Sequence, residues 1–333
     1  MEAPAVATDT LSTVAHGALA HYDYSPDARL TLVNVSENTT YRLDDPQSGR
    51  RAALRIHRPD YHSDGAIESE LEWMEALRLD GVVSPPRPIL TRDGARICKV
   101  GTGGRDERSV VLFEWLEGTA PSTSGDLVPS FRLLGSLAAQ MHLHGARWTR
   151  PTTFDRYTCD YDAALGEHCM WGRWQDGLAM GPAQTKVLSG LDRELKRRLI
   201  EYGRAPDRFG LAHNDLRLAN LLLDDGHIHV IDFDDCGFSW YMYDFATAVS
   251  FIEEDPRVTH WMAAWTEGYA EHKLLTAEDV AILPTLVMFR RLLLVGWVGS
   301  HYEYAAEARE LGAGFTRTTC QLAEMYLDGV FLS

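Results

Sequence analysis

The spacing of three polar side chains, Asp215, Asn220 and Asp232, constrains this chain more than any other feature. They lie in the stretch Leu211 to Asp235, L-A-H-N-D-L-R-L-A-N-L-L-L-D-D-G-H-I-H-V-I-D-F-D-D. A hairpin pattern separates Asn220 from Asp232. It consists of the apolar run Leu221-Leu222-Leu223, the turn pair Asp225-Gly226 and an alternating stretch from His227 to Phe233. A hairpin folds its ends together, so Asn220 and Asp232 are expected side by side, with Asp215 on the loop leading in. One amide oxygen and two carboxylates form a hard oxygen donor set suited to Mg²⁺.

The pattern H-x-D-x-x-x-x-N from His213 to Asn220, followed by a strand ending in Ile231-Asp232-Phe233, resembles the catalytic core of kinase-like phosphotransferases. The nearest likeness is the aminoglycoside phosphotransferase and choline kinase superfamily, which includes type II homoserine kinases and a bacterial stress-response Ser/Thr kinase. The likeness runs from Ala28 to about Ser300, with its specific motifs between Leu211 and Ala246. It implies an α+β, two-lobed protein-kinase-like fold. Residues 1–118 would form a small antiparallel-sheet lobe and residues 119–333 a mainly helical lobe, with an ATP·Mg²⁺ cleft between them. By the same resemblance, Asp215 is the catalytic residue orienting the acceptor hydroxyl, and Asn220 and Asp232 hold the metal. Phosphoryl transfer depends on positioning and charge neutralisation more than on covalent help, which suits this set.

The N-terminal third fits the same plan. Leu30–Val35, Thr40–Leu43 and Ala52–His57 alternate as three strands, and Ser63 to Leu79 has helical period. By resemblance, Ser36, Glu37 and Asn38 would cover the nucleotide phosphates. Arg55 stands where kinases carry the phosphate-gripping lysine of the third strand. Glu70 is the candidate ion-pair partner of Arg55, with Glu68 and Glu72 as alternatives. The connector Glu114-Trp115-Leu116-Glu117-Gly118 matches the hinge, where backbone groups of Glu114 and Leu116 would read the adenine edge.

Several positions depart from the family pattern. Asn214 stands where many relatives have Gly, and Asp234 where protein kinases have Gly after Asp-Phe. Asp234 and Asp235 either assist a second metal or the acceptor, or are simply solvated. Arg217 either balances phosphoryl charge or lies at the surface. One of Arg290 and Arg291 is expected to face the cleft. Asp244 resembles the helix-start aspartate that anchors the catalytic loop, and His213, His142 and His144 read as structural or surface residues.

Composition sets the outer limits. The formal charge of −16, from 32 Lys+Arg against 48 Asp+Glu, argues against nucleic acid and anionic membranes as partners. Five scattered cysteines without a C-x-x-C pair argue against a zinc site or disulfide framework, which suits a cytoplasmic protein. The apolar stretch Leu286 to Val298 is interrupted by Arg290-Arg291, so no membrane span is expected. The expected partner is a small-molecule hydroxyl acceptor of the aminoglycoside, homoserine or choline kind. A Ser/Thr protein kinase of the stress-response type is the alternative, and a pseudokinase scaffold a third reading. Aromatic residues between 149 and 200, among them Trp171, are expected mostly in the core, with some shaping the acceptor pocket.

Overall fold

The computed structural model describes residues 4–35, 38–101, 107–122, 125–225 and 227–332. The chain opens with helix α1 (Pro4–Leu19), then β1 (Arg29–Val35), β2 (Thr39–Asp44) and β3 (Arg51–Ile56). Helix α2 (Asp64–Leu79) follows, and β4 (Pro88–Ile89), β5 (Cys98–Val100) and β6 (Arg108–Glu114) complete the N-terminal part. These strands make one antiparallel sheet in the order β1-β2-β3-β6-β4, with β5 also on β6.

Period-two alternation gives β3 two different faces. Ala52, Leu54 and Ile56 are buried with Val14, Ala15 and Ala18 of α1, forming a small core. Ala53 and Arg55 fall on the other face, toward α2. Helix α2 is capped by Ser63, whose Oγ accepts the Ala66 amide at 3.1 Å. Its buried stripe is Ile67, Glu70, Leu71 and Met74, an i, i+3, i+4, i+7 pattern. A carboxylate in the middle of an apolar stripe requires a partner, and the sheet supplies Arg55.

The remaining chain is mainly helical: α3 (Val128–Arg147), the short α4 (Tyr161–Leu165) and α5 (Pro182–Tyr202). Strands β7 (Phe209–Ala212), β8 (Leu221–Asp224), β9 (His227–Val230) and β10 (Gly237–Trp240) carry the motif region. Then come α6 (Tyr243–Ala248), α7 (Val258–Ala270), α8 (Ala277–Ala281), α9 (Leu283–His301) and α10 (Ala306–Leu327). Strands β8 and β9 pair as the expected hairpin, Leu221 opposite Val230, while β7 pairs with β10. The second hairpin strand ends at Val230, earlier than the alternation to Phe233 suggests, because Ile231 to Phe233 turn away toward the cleft.

Helices α3 and α7 pack at backbone contact. A Cβ on Gly135 would lie 2.0 Å from the Trp265 carbonyl oxygen, and one on Gly268 would meet the backbone of Arg132. Only glycine permits that approach. The segment Ala277–His301 is long and apolar enough to cross a membrane by length and composition, yet most of it is buried inside the protein. Helix α9 is therefore a core helix, and its two arginines are paired internally, as described below.

Candidate active site

The motif loop is built outward from β7. Asp244, fully buried at the start of α6, accepts the amide of Asn214 at 2.8 Å and that of His213 at 3.3 Å. His142 on α3 bonds the same carboxylate at 2.8 Å, so both histidine and aspartate are load-sharing parts of one buried anchor. Thr247 Oγ1 accepts the Leu216 amide at 3.0 Å. Asn214 has φ of +65°, a left-handed conformation open to glycine and, among other residues, to asparagine. That geometry suits the Asn found at this position.

Asn220 ties the loop to the hairpin. Its Nδ2 donates to the Asp215 carbonyl at 2.7 Å and to Asp215 Oδ2 at 2.9 Å. Its carbonyl accepts the Ile231 amide at 2.9 Å, which brings the segment carrying Asp232 alongside. Asp215, Asn220 and Asp232 thus converge as their spacing predicts.

Arg55 reaches the same region from the sheet. Its Nη2 lies 2.7 Å from both carboxylate oxygens of Glu70, and its Nη1 is 4.0 Å from Asp232 Oδ1. Glu68 instead pairs with Arg96 at 3.6 Å, so α2 presents Glu70 to Arg55 as expected. The guanidinium lies 4.9 Å from the centre of the Phe113 ring.

Two cavities meet at this point. The larger, about 440 Å³, is lined by apolar side chains such as Ala53, Met74, Phe113, Leu222 and Ile231, and by Glu114, Trp115 and Leu116. The Glu114 amide is occupied by the Arg87 carbonyl at 2.9 Å. Gly118, at φ +126°, lets the connector lie against β8, and Thr119 and Leu223 exchange backbone bonds at 3.0 and 3.1 Å. The smaller cavity, about 140 Å³, is lined by Asp215, Asp235, Arg290, Trp171 and Trp297 among others. Asn38 lines this smaller space, with its Oδ1 accepting the Arg58 amide at 3.3 Å. Ser36 and Glu37 lie outside the described residues.

Electrostatics divide the acidic residues. Burial pushes Asp215 up, but Arg217 and Arg290 overcome it and hold the carboxyl below its ordinary range. Asp232 is half exposed to the cleft, yet desolvation by the surrounding walls and repulsion from Asp234 push it up to about 7. Burial opposes charge on Asp234, but Arg55, His62 and His57 hold it at about 2. An under-compensated carboxylate beside an amide oxygen, with Glu70 already satisfied by Arg55, is a donor set that fits a hard divalent cation.

Sequence reasoning missed several partners. Arg290 donates from Nη2 to Asp215 Oδ1 at 3.0 Å, whereas Arg291 is buried on Glu253 and Glu254, away from the cleft. Arg217 lies 3.4 Å from Asp215 and 3.2 Å from Glu307. Tyr61, on the connector before α2, donates to Asp235 Oδ1 at 2.8 Å. Apart from Arg217 with Asp215, two residues away, these pairings have no local signature, since each joins segments far apart in the chain.

Residues 30–279 match the sequence profile of the phosphotransferase enzyme family. The chain belongs to that family. This phosphotransferase is also 24% identical, over 90% of its length and 89% of the other protein, to the amicoumacin kinase of Bacillus subtilis strain 168. Among solved structures, a microcompartment-associated aminopropanol kinase is 45% identical, covers 97% of this chain and 99% of its own, and superposes with a TM-score of 0.88. An amicoumacin kinase in complex with AMP-PNP and Ca²⁺ shares the fold at 21% identity and a TM-score of 0.76, covering 98% and 94%. The phosphotransferase is accordingly a kinase, with the α+β kinase-like fold expected from its motifs.

Proposed function

We propose that this kinase transfers the γ-phosphoryl group of ATP, in a Mg²⁺-dependent reaction, to the hydroxyl of a small amino alcohol. The reading rests on one observation above all: Asn220 is bonded to Asp215, and the Ile231 amide, bonded to the Asn220 backbone carbonyl, brings Asp232 alongside them where the two cavities meet. The larger cavity has the apolar walls and exposed connector backbone suited to an adenine, read through the Glu114 carbonyl and the Leu116 backbone. Residues 1–118 and 119–333 would be the two lobes flanking it. Ser36, Glu37 and Asn38 would cover the phosphates, and the Arg55–Glu70 pair would position them.

Asn220 and Asp232 would hold Mg²⁺, whose charge would offset that of the nucleotide phosphates. Asp215 faces the smaller cavity. Its depressed pKa keeps it ionised at neutral pH, so it can accept a hydrogen bond from the acceptor hydroxyl and fix that oxygen's direction. Arg290 and Asn220 hold the Asp215 carboxylate while it does so. Arg217, beside Asp215, supplies positive charge near the group in transit.

Size favours a small acceptor. Pockets for drug-sized ligands occupy about 300–1,000 Å³, whereas the space beside Asp215 holds about 140 Å³. The likeness to an aminopropanol kinase points the same way. A protein acceptor is less favoured, because a chain segment would need an open groove here. An ATP-consumption assay with aminopropanol, ethanolamine, choline, homoserine, an aminoglycoside and a generic protein tests the reading. Turnover confined to small amino alcohols is expected. Turnover only on protein, with self-labelling, would contradict it.

A further inference from the structure

A second carboxylate, that of Asp235, stands beside the proposed reaction centre. Asp235 lines the same small cavity as Asp215. Its Oδ1 accepts the Tyr61 hydroxyl at 2.8 Å, and that hydroxyl in turn accepts Trp171 Nε1–H at 3.0 Å. The Tyr157 hydroxyl donates to the Asp235 backbone carbonyl at 2.7 Å. Tyr61, itself held by Trp171, therefore orients the carboxylate, while Tyr157 holds the backbone that carries it. This much construction around a half-buried acid gives it a fixed direction into the cavity.

Among the described residues, no Arg or Lys forms an ion pair with Asp235. His62 comes within 4.8 Å, but burial lowers its pKa to about 4, so it is neutral. The three arginines lining the cavity are directed elsewhere: Arg55 to Glu70, Arg217 to Asp215 and Glu307, and Arg290 to Asp215. Burial, with Asp215 and Asp234 nearby, pushes Asp235 well above the ordinary carboxylate range, with Tyr61 and Arg290 offsetting only part. Trp171 and Trp297 also line the cavity, and aromatic rings attract organic cations.

We infer that Asp235, oriented by Tyr61 and Trp171, is the receptor for the ammonium group of the acceptor, while Asp215 takes its hydroxyl. This rests on the amino-alcohol reading above and makes it specific. One cavity holding two carboxylates fits a short chain with an amine at one end and a hydroxyl a few bonds away. Because the lining arginines are already paired, an amino acid such as homoserine brings a carboxylate with no free cation to meet it. Neutral diols of the same size fit the space and can hydrogen-bond Asp235, but they bring it no counter-charge.

The test compares 1-amino-2-propanol with 1,2-propanediol, and with homoserine, in the wild-type enzyme and in Asp235→Asn and Tyr61→Phe. In the wild type, kcat/KM for the amine should exceed that for the diol by about 100-fold, as expected when a partly buried carboxylate loses its counter-charge but keeps a hydrogen bond. Asp235→Asn should collapse that ratio to within about fivefold, chiefly by raising KM for the amine. Tyr61→Phe, a milder change, should raise the same KM with less effect on kcat. Equal wild-type rates on amine and diol, or an unchanged ratio in Asp235→Asn, would overturn the ammonium subsite while leaving a small-alcohol kinase standing. Absence of turnover on every small hydroxyl compound would overturn both readings. If Asp235→Asn does not fold, the wild-type amine-to-diol ratio and Tyr61→Phe decide the matter.

Discussion

Arg290 Nη2 lies 3.0 Å from Asp215 Oδ1, and both side chains are about one-tenth exposed. A residue in the middle of core helix α9 thereby joins Arg217 in favouring the ionised form of the proposed catalytic carboxylate. Burial alone would raise Asp215, and Arg217 and Arg290 bring it down. Removing Arg290 should therefore raise the Asp215 pKa. In Arg290→Met the acidic limb of the kcat/KM pH profile should move to higher pH, and kcat at pH 7 should fall by about 10–100-fold. A pH–rate profile of wild type against variant checks this, and an unmoved acidic limb would show that Arg290 serves packing alone.

The Arg55–Glu70 pair is nearly removed from water, with side-chain exposures of 8% and 0%. Breaking a buried pair from one side leaves a bare charge and costs about 3–5 kcal/mol. Glu70→Ala should lose stability on that scale in urea melts. The double variant Arg55→Met/Glu70→Leu should recover most of the stability but not nucleotide affinity. A double variant that binds nucleotide normally would remove the pair from the proposed phosphate site.

The pH dependence of stability should report on Asp232. Its folded pKa, about 7, stands above the ordinary carboxylate value, so the native state favours the protonated form. The stabilisation is fully present below the unfolded pKa near 4 and is lost as pH rises through about 7. In EDTA, Tm should fall between pH 6 and pH 8, and Mg²⁺ should raise Tm more at pH 8 than at pH 6. Asp232→Asn should flatten both responses. A thermal melt series that shows equal Mg²⁺ effects at the two pH values would contradict the assignment.

At Gly135 two effects oppose each other. Alanine in a helix interior gains about 1 kcal/mol over glycine. Its Cβ would sit 2.0 Å from a backbone oxygen of α7, so the helices must separate, and overpacking costs about 1–3 kcal/mol or more. A contact that short with backbone belongs at the upper end of that cost, so Gly135→Ala should be net destabilised by about 2 kcal/mol, measured by denaturant midpoint.

The sheet, α2 and the motif hairpin were legible because each rests on local periodicity or turn chemistry. Glu70 could be singled out only by strand–helix order, and its place within the stripe Ile67, Leu71 and Met74 explains the choice. Asp244 was legible through the resemblance and lies where that likeness implies, on the His213 and Asn214 amides. Arg290 and Arg291 are adjacent in sequence, yet helical rotation sends one to Asp215 and the other to Glu253 and Glu254. Nothing local distinguishes them. The chain from Trp171 through Tyr61 to Asp235 joins residues more than 60 positions apart, so it emerges only from the fold. Asn38, expected at the phosphates from its place in the loop before β2, lines the cavity beside Asp215, and its amide oxygen accepts the Arg58 amide.

The most direct test of the central claim is ³¹P NMR of a reaction containing ATP, Mg²⁺ and 1-amino-2-propanol, run with wild type and with Asp215→Asn. The account predicts an O-phosphate ester of the amino alcohol from the wild type, and a rate at least about 1,000-fold lower in the variant with nucleotide binding retained. Equal product formation by Asp215→Asn, or no phosphate ester from the wild type with any small amino alcohol, would contradict it.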